Sequence, residues 1–252
     1  RTAHRPRADV ARDRIVSGYE RPLHECSVTL MTTGTSPKKQ IFTHFAQIAK
    51  AMASPNRLEL LEALGQGERS VDKLAQATGM SIANTSHHLQ VLREGGLVQS
   101  RKEGVQVIYR LSDDEIPQML GCLRRVGERH LAEVELIVRE HFTNDQGLRP
   151  VNHQELTALL KSGEALILDV RPPEEYEAGH ISGAINVPLE TLSRHLINFP
   201  RRKEVVAYCR GPYCMLAVEA VKRLRKRGYR ARRLEDGFPE WKSEGRPVAV
   251  GK

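Results

Sequence analysis

The chain has 252 residues, 40% of them hydrophobic and 28% charged, with a formal net charge of +8 and four cysteines. That length allows one or two domains that each bury a core, and no run of about 18 apolar residues exists to span a membrane. The scattered cysteines exclude a disulfide scaffold and no apolar leader core is present, so a reducing cytoplasm is expected, while the basic balance favours polyanionic partners.

Residues 1–37 are polar and Arg-rich with little periodicity. They read as an arm, disordered in its first part, although Met31 followed by TTGTSPKK has the look of an ordinary protein start. Residues 38–142 carry the punctuation of short helices. Ser54-Pro55 supplies an N-cap with proline at the first helical position, and RLELLEALG continues an apolar stripe to Gly65. Ser70 caps VDKLAQATG, Gly79 turns the chain, and Ser81 caps IANTSHHLQVLREGG, which stops at Gly95-Gly96. Two helices joined by a tight glycine turn make a helix-turn-helix. Its second helix presents Asn84, Thr85, Ser86, His87, His88 and Gln90, short polar groups suited to base edges and phosphates. A solvated face is the plainer meaning of such residues, and the cap, turn and following hairpin weigh against it. His87 and His88 point about 100° apart on a helix and cannot share a metal ion.

LVQSRKEGVQVIYRLS reads as a hairpin around Glu103-Gly104, a wing with Arg101 and Lys102 near its tip. A single long helix is expected over residues 113–142, started by the capping box Ser112-x-x-Glu115. The segments MASPNRLELLEAL, VDKLAQATGMSIANTSHHLQVLREGGLV and RKEGVQVIYRLS resemble the ArsR/SmtB family of bacterial repressors over about a hundred residues. The resemblance implies a homodimer on a double-stranded DNA operator, its interface formed by the long helix and the helix before Ser54.

Metal-sensing relatives place thiolates where this chain has SVDKLAQAT, which holds neither cysteine nor histidine. His130 and Glu133 could form half of the family's second metal site, but Asp114-x-Ile116 lacks the other half's histidine, so no metal and no cofactor is expected. Cys122 lies in an apolar stripe with Met119, Leu120 and Leu123 and reads as a small hydrophobe at the dimer interface. No cysteine lies between Lys38 and Gly121, which leaves Cys26 on the arm as a remote partner for a thiol switch.

The turn-formers of TNDQGLRPV mark a linker at residues 143–151. Residues 152–250 follow, and within them VVAYCRGPYCMLA is an apolar β-type run ending at Cys209, then a loop with Gly211 and Pro212, then a helical pattern. Backbone N–H groups and the helix dipole favour an anion there, so Cys209 is expected to ionise below a free thiol's value of about 8.5. With LILDVRPPEEYEAGHISGAINVPLE before it and EDGFPEWKSEGRPV after it, the segment resembles the rhodanese sulfurtransferase family. The resemblance implies an α/β domain with a parallel sheet. It makes Cys209 the persulfide-forming cysteine, Arg210, Gly211, Pro212, Tyr213 and Cys214 the anion-cradling loop, and Asp169 and Arg171 a polar pair of the site. Cys214 stands where many thiosulfate-using relatives have Arg, Ser or Thr, which weakens thiosulfate as donor. Met215 stands where related phosphatases close their loop with Arg, which argues against phosphoryl transfer. A pair of buried structural thiols is the plainer reading of the two cysteines.

The basic run VKRLRKRGYRARR is most simply a solvated helix face, with extra DNA contact or attraction of anionic donors as alternatives. The expected fold is therefore a mainly α winged helix-turn-helix followed by an α/β rhodanese-like domain. The expected function is a cytoplasmic, homodimeric repressor-type regulator that binds or transfers sulfane sulfur, from a persulfide, polysulfide or thiosulfate, through a persulfide on Cys209. Two alternatives stand beside it: a sulfurtransferase that dimerises through its winged helix, and a metal- or metalloid-responsive repressor.

Overall fold

Local caps and glycine turns cut the N-terminal half into helices where the sequence predicts. The computed structural model describes residues 36–142, 149–195 and 199–251. The arm up to residue 35 with Cys26, and most of the expected linker (143–148), lie outside the described residues. Residues 41–252 cluster as one compact unit.

The elements begin with α1 (Pro37–Met52), α2 (Pro55–Gly65), β1 (Arg69–Ser70), α3 (Val71–Thr78) and α4 (Ile82–Glu94). Ser70 and Ser81 cap α3 and α4 by accepting from the backbone N–H groups of Lys73 and Asn84, and Gly79 takes the left-handed conformation (φ 67°) that turns one helix into the other. Strands β2 (Val98–Glu103) and β3 (Gln106–Leu111) form the wing, turning at Gly104 (φ 61°), and β1 pairs with β3 to complete a small antiparallel sheet. The core of this half joins Leu60, Leu61 and Leu64 of α2 to Leu74 of α3 and to Leu89 and Leu92 of α4.

The long helix is two helices, α5 (Ile116–His130) and α6 (Ala132–His141), broken at Leu131, whose backbone is extended (φ −113°, ψ 104°). The apolar pattern runs through the break, so periodicity alone does not show it. The break also separates His130 from Glu133, which removes the one-turn spacing expected of a metal half-site. The capping box does not form: Ser112 Oγ donates to Gly96 O at 2.5 Å, and Pro117 in the first turn starts α5 instead.

The C-terminal half is built on a parallel sheet in the order β6-β4-β7-β8, from β4 (Ala165–Asp169), β6 (Ile185–Asn186), β7 (Glu204–Tyr208) and β8 (Ala231–Arg233). Around it lie α7 (His153–Lys161), α8 (Pro173–Ala178), α9 (Leu192–His195), α10 (Met215–Lys226) and α11 (Phe238–Ser243), and β5 (His180–Ile181) pairs with β9 (Val248–Ala249). Strand β7 is buried on both faces and its side chains alternate. Val205 and Ala207 pack with Val221 and Leu224 of α10, whereas Val206 and Tyr208 pack with Leu156, Phe238 and Trp241. Both strands that lead to the site, β4 and β7, therefore end in register inside a rigid core, at Asp169 and Tyr208.

Candidate functional site

On α4 the predicted reading residues divide by face. Ser81, Asn84, Ser86 and His87 are exposed, and Gln90 is half-buried, bonded to Glu94 at 2.8 Å and to Arg93 at 2.5 Å. Thr85 does not belong to this set. It is fully buried, and its hydroxyl donates to Ser81 O at 2.9 Å, because its place in the helical turn faces the core. His88 also turns inward, with Nε2 3.3 Å from Asn56 Nδ2; desolvation and then Arg57 push its pKa down. On the wing Lys102 is exposed, while Arg101 is paired with Glu68 and Glu103.

The cysteine loop leaves the end of β7. Cys209 is 1% exposed, and Cys214, half-buried, is the N-cap residue of α10. The thiol of Cys209 lies within 3.6 Å of Cys214 O and 3.9 Å of Gly211 O, so it is placed to donate. Burial pushes Cys209 well above its ordinary value, and its hydrogen bond to Cys214 adds to this. A thiol-to-thiol interaction with the Cys209 side chain lowers Cys214 to about 6, helped by the backbone N–H groups of Arg210 and Leu216 and opposed by burial. Cys209 is thus pushed up rather than down, against the expectation, and Cys214, which has the helix N-terminus and an opening to solvent, is the thiol whose pKa falls. That opening is a cavity of about 430 Å³ lined by Cys214, Arg210 and Tyr213 and, from the N-terminal half, by Glu59, Glu62 and Arg69.

The other predicted members serve the loop indirectly. Arg171 and Asp169 are both fully buried and form a forked ion pair of 2.6 to 3.1 Å, with the Arg171 ring-stacked over Phe238 at 4.6 Å. They position the ends of β4 and α8, where Arg171 also donates to Gly179 O at 2.8 Å. Arg210 is bound to Glu175 at 2.7 Å, and Glu175 also holds Arg69 at 2.9 Å; although burial opposes it, the two arginines keep the Glu175 carboxyl below its usual range. The charge of Arg210 is therefore already matched. Tyr213 donates to Glu128 of α5 at 2.7 Å.

Several residues that build the site are not legible as such in the sequence. Gln66, 2% exposed at the end of α2, donates to Arg210 O at 2.9 Å and accepts from Arg171 at 3.1 Å. Glu62 stands over Gly211, where an added Cβ would come within 2.6 Å of Glu62 Oε1; enclosure and then the neighbouring Cys214 raise its pKa. Arg124 of α5 is paired with Asp236 and Glu240 next to α11. From the basic run, Arg232 pairs with Glu155 and Glu204 and Arg233 is buried behind the loop, so the run is only partly a solvated face. Among the described residues no group of three or more His, Cys, Asp or Glu is placed to hold a metal ion, and no helix is long and apolar enough to cross a membrane.

A helix-turn-helix with a wing, joined to a parallel sheet that carries a cysteine loop, defines a DNA-binding regulator fused to a rhodanese-like domain. The family models agree: "Bacterial regulatory protein, arsR family" matches residues 54–100 and "Rhodanese-like domain" matches residues 152–244. The HTH-type transcriptional regulator Rv0324 of Mycobacterium tuberculosis is 38% identical over 85% of this chain and 94% of its own. The chain belongs to the ArsR family of transcriptional regulators, in a form with a C-terminal rhodanese domain. The transcriptional activator HlyU of Vibrio cholerae is 40% identical over 31% of this chain and 73% of its own. The solution structure of a homodimeric winged helix-turn-helix DNA-binding domain, fragment 1–100 of Mb0332 from Mycobacterium bovis, is 36% identical and covers 40% of this chain and 94% of that one, with a TM-score of 0.36.

Proposed function

We propose that the protein is a homodimeric, repressor-type regulator whose affinity for a double-stranded DNA operator is set by sulfane sulfur on the Cys209/Cys214 loop. The observation that carries this reading is the double hydrogen bond of Gln66 to Arg210 and Arg171. It ties the cysteine loop to α2, and α2 packs through Leu60, Leu61 and Leu64 on the reading helix α4. Coupling then runs through this contact.

The exposed apolar residues Phe45 of α1 and Leu123 and Val126 of α5 (58%, 51% and 49% exposed) supply the surface for a second copy. Ser81, Asn84, Ser86, His87 and Gln90 read the major groove, with Lys102 on phosphate. A persulfide or polysulfide is favoured over thiosulfate as donor, because Glu175 takes up the charge of Arg210. Sulfur enters at Cys214: its thiolate attacks the outer sulfur of a donor R–S–SH, the donor S–S bond breaks, and R–S⁻ leaves and takes a proton from water. Cys209 then attacks that outer sulfur, the bond to Cys214 breaks, and the Cys209 proton passes to Cys214.

The sulfurtransferase alternative has less support, since α2 stands over the loop and Cys209 is closed to solvent. Operator binding by the full chain, with and without a polysulfide, tests the reading. Cys209→Ser should abolish the response and Cys122→Ser should keep it; a Cys209→Ser protein that responds like the parent overturns it.

A further inference from the structure

Arg233, at the end of β8, is 9% exposed. Its Nη1 donates to three neutral carbonyl oxygens, those of Pro212 at 3.4 Å, Leu234 at 3.3 Å and Glu235 at 3.2 Å. Its Nε is buried without a hydrogen-bond partner. The adjacent Arg232 is paired with Glu155 and Glu204, but no carboxylate pairs with Arg233 among the described residues. A buried guanidinium without a counter-ion is costly, so an anion formed beside it would be stabilised. Burial lowers its pKa, and Cys209 is the largest influence in the other direction, ahead of Glu235 and Asp236. Arg233 stands opposite Ala207 in the β7–β8 ladder, two residues before Cys209, and its Nη1 reaches Pro212 O of the cysteine loop, so the cation lies against that loop.

We propose that Arg233 is the counter-cation of sulfur-loaded Cys209, so that the loop stores its sulfur as a persulfide anion instead of closing at once to a Cys209–Cys214 disulfide. This rests on the sulfane-sulfur reading above and deepens it. Loading converts the Cys214 thiolate, Cys209–SH and R–S–SH to Cys214–SH, Cys209–S–S⁻ and R–SH, the proton the persulfide gives to water replacing the one that R–S⁻ took. The outer sulfur then carries the negative charge beside Arg233. Closure would require the Cys214 thiol to attack Cys209 Sγ while its proton leaves with the outer sulfur as hydrosulfide, which would leave Arg233 again without an anion. Around the loop, Cys214 is bonded to Cys209 through its carbonyl, Arg233 reaches Pro212 O, and Arg210 is held by Glu175. Arg233 is thus the cation left to stabilise the loaded state.

The test loads the full chain with glutathione persulfide and compares parent, Arg233→Gln and Arg233→Lys by intact mass, peptide mapping and thermal midpoint. The parent should gain one sulfur at Cys209 and melt higher when loaded. Arg233→Gln should lose that sulfur to the disulfide about tenfold faster, without the stabilisation, and Arg233→Lys should recover most of it. Equal persulfide lifetimes in parent and Arg233→Gln overturn the proposal. A parent that takes up no sulfur overturns the sulfane-sulfur reading instead. Alkylation of Cys209 against pH then still tests the cation: Arg233→Gln should move the Cys209 profile upward relative to the parent and Arg233→Lys should not, and coincident profiles count against it.

Discussion

Gln66 Oε1 accepts a hydrogen bond of 3.1 Å from the guanidinium of Arg171, across 105 residues of sequence, and both side chains are closed to solvent. The other end of the same amide donates to Arg210 O. One side chain of the DNA-binding half thus satisfies two polar groups of the rhodanese-like half. Gln66→Leu would leave both unpaired, and each such orphan costs about 1–3 kcal/mol. Urea unfolding should show a loss in that range, together with a weaker response of operator binding to sulfur.

Gly237 lets α11 approach the loop. A Cβ there would meet Arg210 O at 2.3 Å and Gly211 N at 2.5 Å, and backbone cannot swing aside as a side chain can. Gly237→Ala should therefore cost about 1–3 kcal/mol of stability by overpacking and should change the labelling rate of Cys214. A variant with parental stability and labelling would show that the loop yields more easily than its packing implies.

Cys214, at about 6 against an ordinary 9.0, should alkylate first, with a midpoint near its pKa, ahead of buried Cys209. The sign of the pH effect on stability follows. A thiol whose pKa folding lowers contributes stability that is full above its unfolded value and is lost as pH falls through about 6. Cys209, raised by folding, contributes in the opposite sense and loses its share at alkaline pH. Stability measured by denaturant should climb between pH 6 and about 9 more steeply in the parent than in Cys214→Ser.

On the operator, His87→Ala and Gln90→Ala should each cost about 1–3 kcal/mol of discrimination against random duplex. Lys102→Ala should weaken all duplexes alike and reduce the salt slope by about one. Thr85→Val, which alters only an inward hydroxyl, should cost about 1 kcal/mol of stability and leave base preference unchanged. Fluorescence anisotropy over a salt series separates the three behaviours.

The features legible in the sequence are those decided within a few residues: the caps at Ser70 and Ser81, the turn at Gly79, the wing at Gly104, and the strand–loop–helix around Cys209. The break at Leu131 was not legible because the apolar spacing passes through it unchanged. Glu62, Gln66 and Arg69 look like ordinary polar residues near the end of α2, and only packing against residues more than a hundred positions away gives them roles. The opposite directions in which the two thiols shift were also hidden, since burial of Cys209 outweighs the position it shares with the family's persulfide-forming cysteine. Thr85 and His88 illustrate the same limit on α4, where polarity alone does not say which side of a helix faces the core.

Because α2 is gripped by the reading helix on one side and by the cysteine loop on the other, traffic through it has no preferred direction. If sulfur changes operator affinity by some factor, thermodynamic reciprocity requires the operator to change the affinity for sulfur by the same factor. A tenfold effect, about 1.4 kcal/mol, would make promoter-bound dimers and free dimers two distinct sulfur pools at one donor concentration. DNA would then be a ligand that tunes thiol chemistry, and the number of unoccupied operators in a cell would influence how much sulfur the protein carries.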